Sequence, residues 1–142
     1  MIAFDTDVLT EVLLGGATYV ARAAAIPLHK QAVPVIVSEE IMRGRLNIIR
    51  QAEAGRASIS LARAYELFED SFTDFQRLHI LSYTPHAESL YQEWPQQGIR
   101  LATHDLRIAA ICVVYAARLI SRNRRDFECV PGLVTELWEW SP

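Results

Sequence analysis

Lysine is almost missing from this chain: Lys30 is the only one, and the other 13 of its 14 basic residues are Arg. Arg forks suit phosphate oxygens better than the point charge of Lys does. Cysteine is scarce as well. Cys112 and Cys129 form no CxxC pair and have no His in metal-ligand spacing, so both are expected as buried free thiols of a reducing compartment, with a disulfide as the lesser alternative. Long hydrophobic runs are also lacking. The longest, IAAICVVYAA at 108–117, is about half of the roughly 20 residues that a bilayer span needs. The opening MIAFDTD has neither a basic stretch nor an extended apolar one, so it does not look like an export signal. A soluble, cytoplasmic protein without a membrane partner is expected. Nor does one sign of charge dominate. A net charge of -3 gives the molecule no global pull toward nucleic acid.

What is present is core-forming material. With 142 residues and 51% hydrophobic content, residues 1–142 are expected to form one domain, because a chain this long buries about two-thirds of its unfolded surface. There is no internal repeat, low-complexity segment or linker. Apolar runs at 1–4, at 33–37 (VPVIV), at 79–83 (HILSY) and at 118–121 have the length and β-branched content of buried strands, and LVTELW at 133–138 is a fifth candidate. Between them, helical spacing predicts helices over 7–14, 17–28, 38–54, 58–77, from 85 to about 95, and 104–117. Ser38 and Thr103 are the expected N-caps of two of these, and Pro85 opens another. Gly55 breaks the third from the fourth, which makes a helical hairpin arm with Leu61, Ala64, Tyr65, Phe68 and Phe72 along one stripe. Strands alternating with helices predict an α/β fold with a mostly parallel, roughly five-stranded central sheet between helical layers.

Four acids occupy informative places in this pattern. Asp5 follows the first strand, Glu40 opens the helix after the second, Asp105 opens the helix before the fourth, and Asp126 lies five residues beyond that strand. In parallel α/β sheets the carboxyl ends of the strands and the starts of the next helices share one rim, so these acids are expected to converge. Carboxylates held close raise one another's pKa and cost stability, whereas Mg²⁺ or Mn²⁺ neutralises them and prefers oxygen ligands. Taken singly, each acid is more simply a helix cap or a solvated side chain; their joint placement favours a metal site. Such a site activates water and stabilises a leaving oxygen in phosphodiester hydrolysis.

The four acidic segments together resemble the PIN-domain ribonucleases, and in particular the VapC-type toxins of bacterial toxin–antitoxin pairs. IAFDTDVL is similar to the family's opening, with Asp5 as its first acid. VIVSEEIMRG is similar to the second motif, with Glu40 rather than Glu39 four residues ahead of Gly44. THDLRIAA places Asp105 as the third acid, and LISRNRRDFECVPGL places Ser121, Asn123 and Asp126 where the family carries a hydroxyl residue, an Asn and the last acid. The resemblance implies a PIN-like three-layer fold, a Mg²⁺- or Mn²⁺-dependent endoribonuclease, an RNA substrate, a small antitoxin partner and a homodimer. It further implies that Asp5, Glu40, Asp105 and Asp126 bind the metal and that Ser121 and Asn123 position those carboxylates or the scissile phosphate. Arg122, Arg124 and Arg125, beside the rim, are candidates for holding RNA phosphates, with a solvated charge run as the plainer use.

The departures from the family are also informative. Asp7 stands where the family usually has Asn, and it either joins the site or caps its helix. His104, beside Asp105, has no second His–acid pair to support a metal role. Residues 55–95 match only in helical character. IAFDTDVL also resembles the Asp-x-Asp strand of haloacid-dehalogenase-type phosphatases, but that chemistry needs a downstream Lys that this chain lacks. The other alternative is a PIN-fold module that binds RNA or a partner without cutting; four intact acids count against it. On the arm, Tyr65, Phe72 and Phe75 are expected mainly in the core, with a dimer or antitoxin groove as their second use, and Trp138 and Trp140 either cap the core or meet a partner.

Overall fold

Five short strands, all parallel, run through the centre of the computed structural model, which describes residues 1–139. They are β1 (Ile2–Phe4), β2 (Gln31–Pro34), β3 (His79–Leu81), β4 (Arg118–Ser121) and β5 (Thr135–Leu137), in the order β3-β2-β1-β4-β5. Seven α-helices flank this sheet: α1 (Thr6–Leu13), α2 (Ala17–Ala24), α3 (Val35–Glu53), α4 (Leu61–Arg77), α5 (Pro85–Gln96), α6 (Thr103–Val114) and α7 (Arg124–Phe127). This is the expected PIN-like α/β/α architecture. The chain steps outward from β1 to β2 to β3 and then returns to the far side of β1. The direction of winding therefore reverses between β1 and β4, and in open parallel sheets that reversal is where ligands bind.

The strands are apolar because both faces are covered. Ala3, Phe4, Ala32, Val33, Leu119 and Ile120 are fully buried. Trp138 closes one side of the core: it is 3% exposed, packs edge-on against Phe4 at 5.9 Å and carries Arg22 over its ring at 5.7 Å. Of its two expected roles it thus takes the core-capping one. Trp140 lies outside the described residues.

Several boundaries differ from the sequence expectation. The second strand covers 31–34 rather than 33–37, and Val35, Ile36 and Val37 belong to α3. Their β-branched side chains pointed to a strand, but Val37, Ile41, Arg45 and Ile49, spaced by four, form the buried stripe of one helix, and tertiary packing overrides local propensity. Ser38 is therefore interior to α3, whose N-cap is Pro34. Likewise Ala102, not Thr103, caps α6, and α2 stops at Ala24 before a 3-10 turn over Leu28–Lys30. Ser60 and Thr84 do cap α4 and α5, accepting hydrogen bonds from the Arg63 and Ala87 amides.

The arm forms as predicted from α3 and α4 around Gly55, whose φ of +70° suits only glycine without strain. Its aromatic stripe divides, however. Ala64 and Ser71 face α3, and Phe75 packs on the core, but Tyr65 and Phe72 are about half exposed. Cys112 is buried, as expected, and burial pushes its thiol far up, whereas Cys129 is exposed. The short loop into β5 leaves Cys129 at the surface of a one-turn helix end. Among the described residues no helix is long and apolar enough to cross a membrane.

Candidate active site

Register explains how residues 116 positions apart come to touch. Ala3 pairs with Leu119 and Phe4 with Ile120, so the next residues along, Asp5 and Ser121, emerge side by side at the carboxyl end of the sheet. The Asp5 amide donates to the Ile120 carbonyl at 2.9 Å. Ser121, fully buried, donates from Oγ to Asp5 Oδ2 at 2.8 Å, and Asp5 Oδ1 accepts from the Thr6 amide at 2.8 Å. Both carboxylate oxygens are therefore fixed, and Asp5 is the N-cap of α1.

Glu40 arrives from the second turn of α3. Its Oε1 accepts from Thr6 Oγ1 at 3.1 Å and lies 3.9 Å from His104 Nδ1, while His104 Nε2 stands 3.6 Å from Glu39. Asp105 sits in the first turn of α6, where free amides and the helix dipole favour a carboxylate. Asn123 links the last acid: its amide N donates to Ser121 Oγ at 2.9 Å, and its side-chain amide donates to Asp126. Ser121 and Asn123 thus hold the carboxylates of Asp5 and Asp126.

The electrostatics report the convergence. Burial raises the pKa of Asp5, hydrogen bonds from Ser121 and Thr6 partly offset this, and the charges of Asp105 and Asp7 raise it further. Glu40 is raised by burial, lowered by Thr6 and His104, and raised again by Asp5 and Asp7. Asp105 is raised by burial and then by Glu40, Asp126 and Asp7, with His104 opposing. Five acids therefore act on one another at this rim. Asp7 does not cap α1, since Asp5 does; it is exposed in the first turn and adds its charge to the group.

Oxygen donors of this kind suit Mg²⁺ or Mn²⁺. Among the described residues, though, no three His, Cys, Asp or Glu side chains stand in a geometry that would already hold an ion together. The donor chemistry fits a hard cation, and the mutual elevation of the acids is relieved by one; the side chains have to draw closer to share it.

A cleft of about 380 Å³ opens beside the acids, lined by Arg100, Leu101, Ala102, Asp105 and Asp126. Of the three arginines singled out in the sequence, Arg122 and Arg125 are absent from the described lining. Arg122 is exposed and stands 4.0 Å from Glu11, Arg125 is exposed on α7, and the Arg124 side chain lies outside the described part of the structure. Sequence reasoning missed Thr6, His104 as a neighbour of Glu40, and Arg100. Thr6 was legible as a hydroxyl beside Asp5; Arg100 carried no signal beyond being basic.

No protein-family model matches the chain, and no curated protein is detectably similar in sequence. Solved structures do match in fold. A chain of VapBC2 from Rickettsia felis, bound to a DNA fragment from its promoter, superimposes with a TM-score of 0.73 at 21% identity, covering 98% of this chain and 100% of that one. A chain of DNA-bound VapBC from Salmonella typhimurium gives 0.73 at 19% identity over 97% and 99%. A chain of FitAcB from Neisseria gonorrhoeae gives 0.74 at 16% identity over 95% and 96%. The fold is therefore the PIN-like one that these structures share, across nearly the full length.

Proposed function

We propose that this chain is a Mg²⁺- or Mn²⁺-dependent endoribonuclease that serves as the toxin of a toxin–antitoxin pair. The observation that carries this reading is the meeting of Asp5, Glu40 and Asp105 at the winding reversal of a PIN-like fold, each with its pKa raised first by burial and then by the charge of neighbouring acids. Packing alone gives no reason to gather them. Asp5, Glu40 and Asp105 would bind the metal, with Asp126 as a further ligand or as the holder of a coordinated water. When bound, the ion supplies a water of lowered pKa and charge stabilisation at the phosphate. Ser121 and Thr6 orient Asp5, Thr6 also orients Glu40, and Asn123 orients Asp126, so three neutral donors fix the direction of the ligating oxygens.

Complexes such as the toxin–antitoxin complex from Klebsiella pneumoniae support a small protein partner. A groove of about 380 Å³, with Leu9, Val12, Leu13, Val20 and Leu28 on its apolar side and Asp74 and Arg77 also in its lining, offers a surface for it, and Val20 and Leu28 are exposed there. Co-expression with the reading frame beside this gene should silence cleavage; unchanged cleavage would remove the antitoxin part. The exposed Tyr65 and Phe72 are candidates for a homodimer contact, read by sedimentation at increasing concentration.

The nuclease reading is tested by incubating the protein with total bacterial RNA and Mg²⁺ or Mn²⁺. Wild type should cleave and chelation should stop it. Asp5→Asn and Asp105→Asn should lose about 10²-fold or more of the activity, since losing a ligand costs at least the roughly 10–100-fold typical of losing a group that only orients one. Mn²⁺ should also raise the melting temperature of wild type but not of Asp105→Asn, because binding to the native state stabilises it. Cleavage that survives chelation or both substitutions would end the metal mechanism. RNA retention without cleavage would leave the binding module as the function.

A further inference from the structure

We propose that Arg100 holds a phosphate of the RNA strand in the cleft beside the acids; this rests on the nuclease reading above. Among the described residues that line this cleft, Arg100 is the one cationic side chain, and Asp105 and Asp126 line the same cleft. A polyanion entering such a cleft meets like charge from the acids, so a cation in the wall is needed to hold its backbone.

Several other arginines are engaged. Arg43 pairs with Glu39 and Arg63 with Glu66, each at 2.7 Å, and Arg118 reaches Glu136 at 3.4 Å. Arg107 stacks on Tyr91 at 4.9 Å. Among the described residues Arg100 joins no ion pair. Its direction is set by the segment that carries it. Gly98, at a φ of +84°, turns the chain out of α5, after which Ile99 and Leu101 pack against the core and Arg100 between them stays exposed. The alternation of packed and exposed residues over 99–101 thus leaves the Arg100 guanidinium at the surface. Its planar fork matches two phosphate oxygens at once.

The test measures binding of a short fluorescein-labelled single-stranded RNA with Mn²⁺ present, in the Asp5→Asn background, over a range of salt. Arg100→Ala should weaken binding and reduce the slope of log affinity against log salt by roughly 0.7, the loss of one phosphate contact on a single strand. Arg100→Lys should keep the slope while losing part of the affinity. In the cleaving enzyme, Arg100→Ala should raise KM with kcat little changed, and its melting temperature should match wild type because the residue is exposed. If wild type binds and cuts RNA while Arg100→Ala shows the same salt slope and KM, the assignment of Arg100 is wrong and the nuclease reading stands. If wild type neither binds nor cuts RNA, both are overturned.

Discussion

Ser121→Ala removes one oxygen from the centre of the site, and its cost follows from two hydrogen bonds. The hydroxyl donates to Asp5 Oδ2 at 2.8 Å and accepts from the Asn123 amide at 2.9 Å, with Ser121 itself fully buried. A hydrogen bond to a charged group contributes about 1.5–3 kcal/mol, and an amide left without its acceptor in a partly buried place costs up to about 1 kcal/mol more. The sum is about 1.5–4 kcal/mol. With an unfolding entropy of about 2.1 cal/mol/K per residue, a chain of this length has roughly 0.3 kcal/mol/K, so the melting temperature should fall by roughly 5–13 °C. The same change removes an interaction that lowers the Asp5 pKa, so that carboxyl should titrate still higher. Calorimetry gives the first quantity and NMR of labelled Asp side chains the second. A drop of less than about 3 °C, corresponding to about 1 kcal/mol, together with an unchanged Asp5 titration would refute the claim that Ser121 holds Asp5.

Two further expectations concern stability alone. The folded-state pKa values of Asp5, Glu40 and Asp105 lie above their ordinary values of 3.8, 4.5 and 3.8, so over the window from there up to the raised values the folded chain binds more protons than the unfolded one. Their contribution to stability therefore declines as pH rises through that window and levels off above it. Urea unfolding across it should show a shallower decline for Asp105→Asn than for wild type without added metal; identical pH profiles would contradict the coupling. Gly44→Ala is expected to stabilise, because a Cβ there meets nothing within 4 Å and Gly inside a helix costs roughly 0.5–1 kcal/mol relative to Ala. A gain of about 2–3 °C in melting temperature is the expected reading, and a loss would mean that Gly44 is required by the fold.

The fold was largely legible because its signals are local. The run at 118–121 matched β4 residue for residue, and the strand–helix alternation gave the parallel sheet. Legibility failed at Val35–Glu53, where three β-branched residues carried strand propensity while their packing partners, one helical turn further on, made them helical. It failed again at Tyr65 and Phe72, since an aromatic stripe has the same spacing whether or not a neighbour covers it.

The order of Asp5, Glu40, Asp105 and Asp126 along the chain was legible in the sequence, since Asp5 ends an apolar run, Glu40 and Asp105 stand near helix starts and Asp126 follows β4 by five residues. Which atoms meet was decided only by the tertiary structure. The pairing of Phe4 with Ile120 brings Ser121 to Asp5, the packing of α1 beside α3 gives Thr6 to Glu40, and the turn at Gly98 leads to Arg100 in the wall of the cleft. The physical reason is range. Periodicity is written within a few residues, whereas contacts across 34 or 116 positions exist only once sheet register and helix packing are fixed.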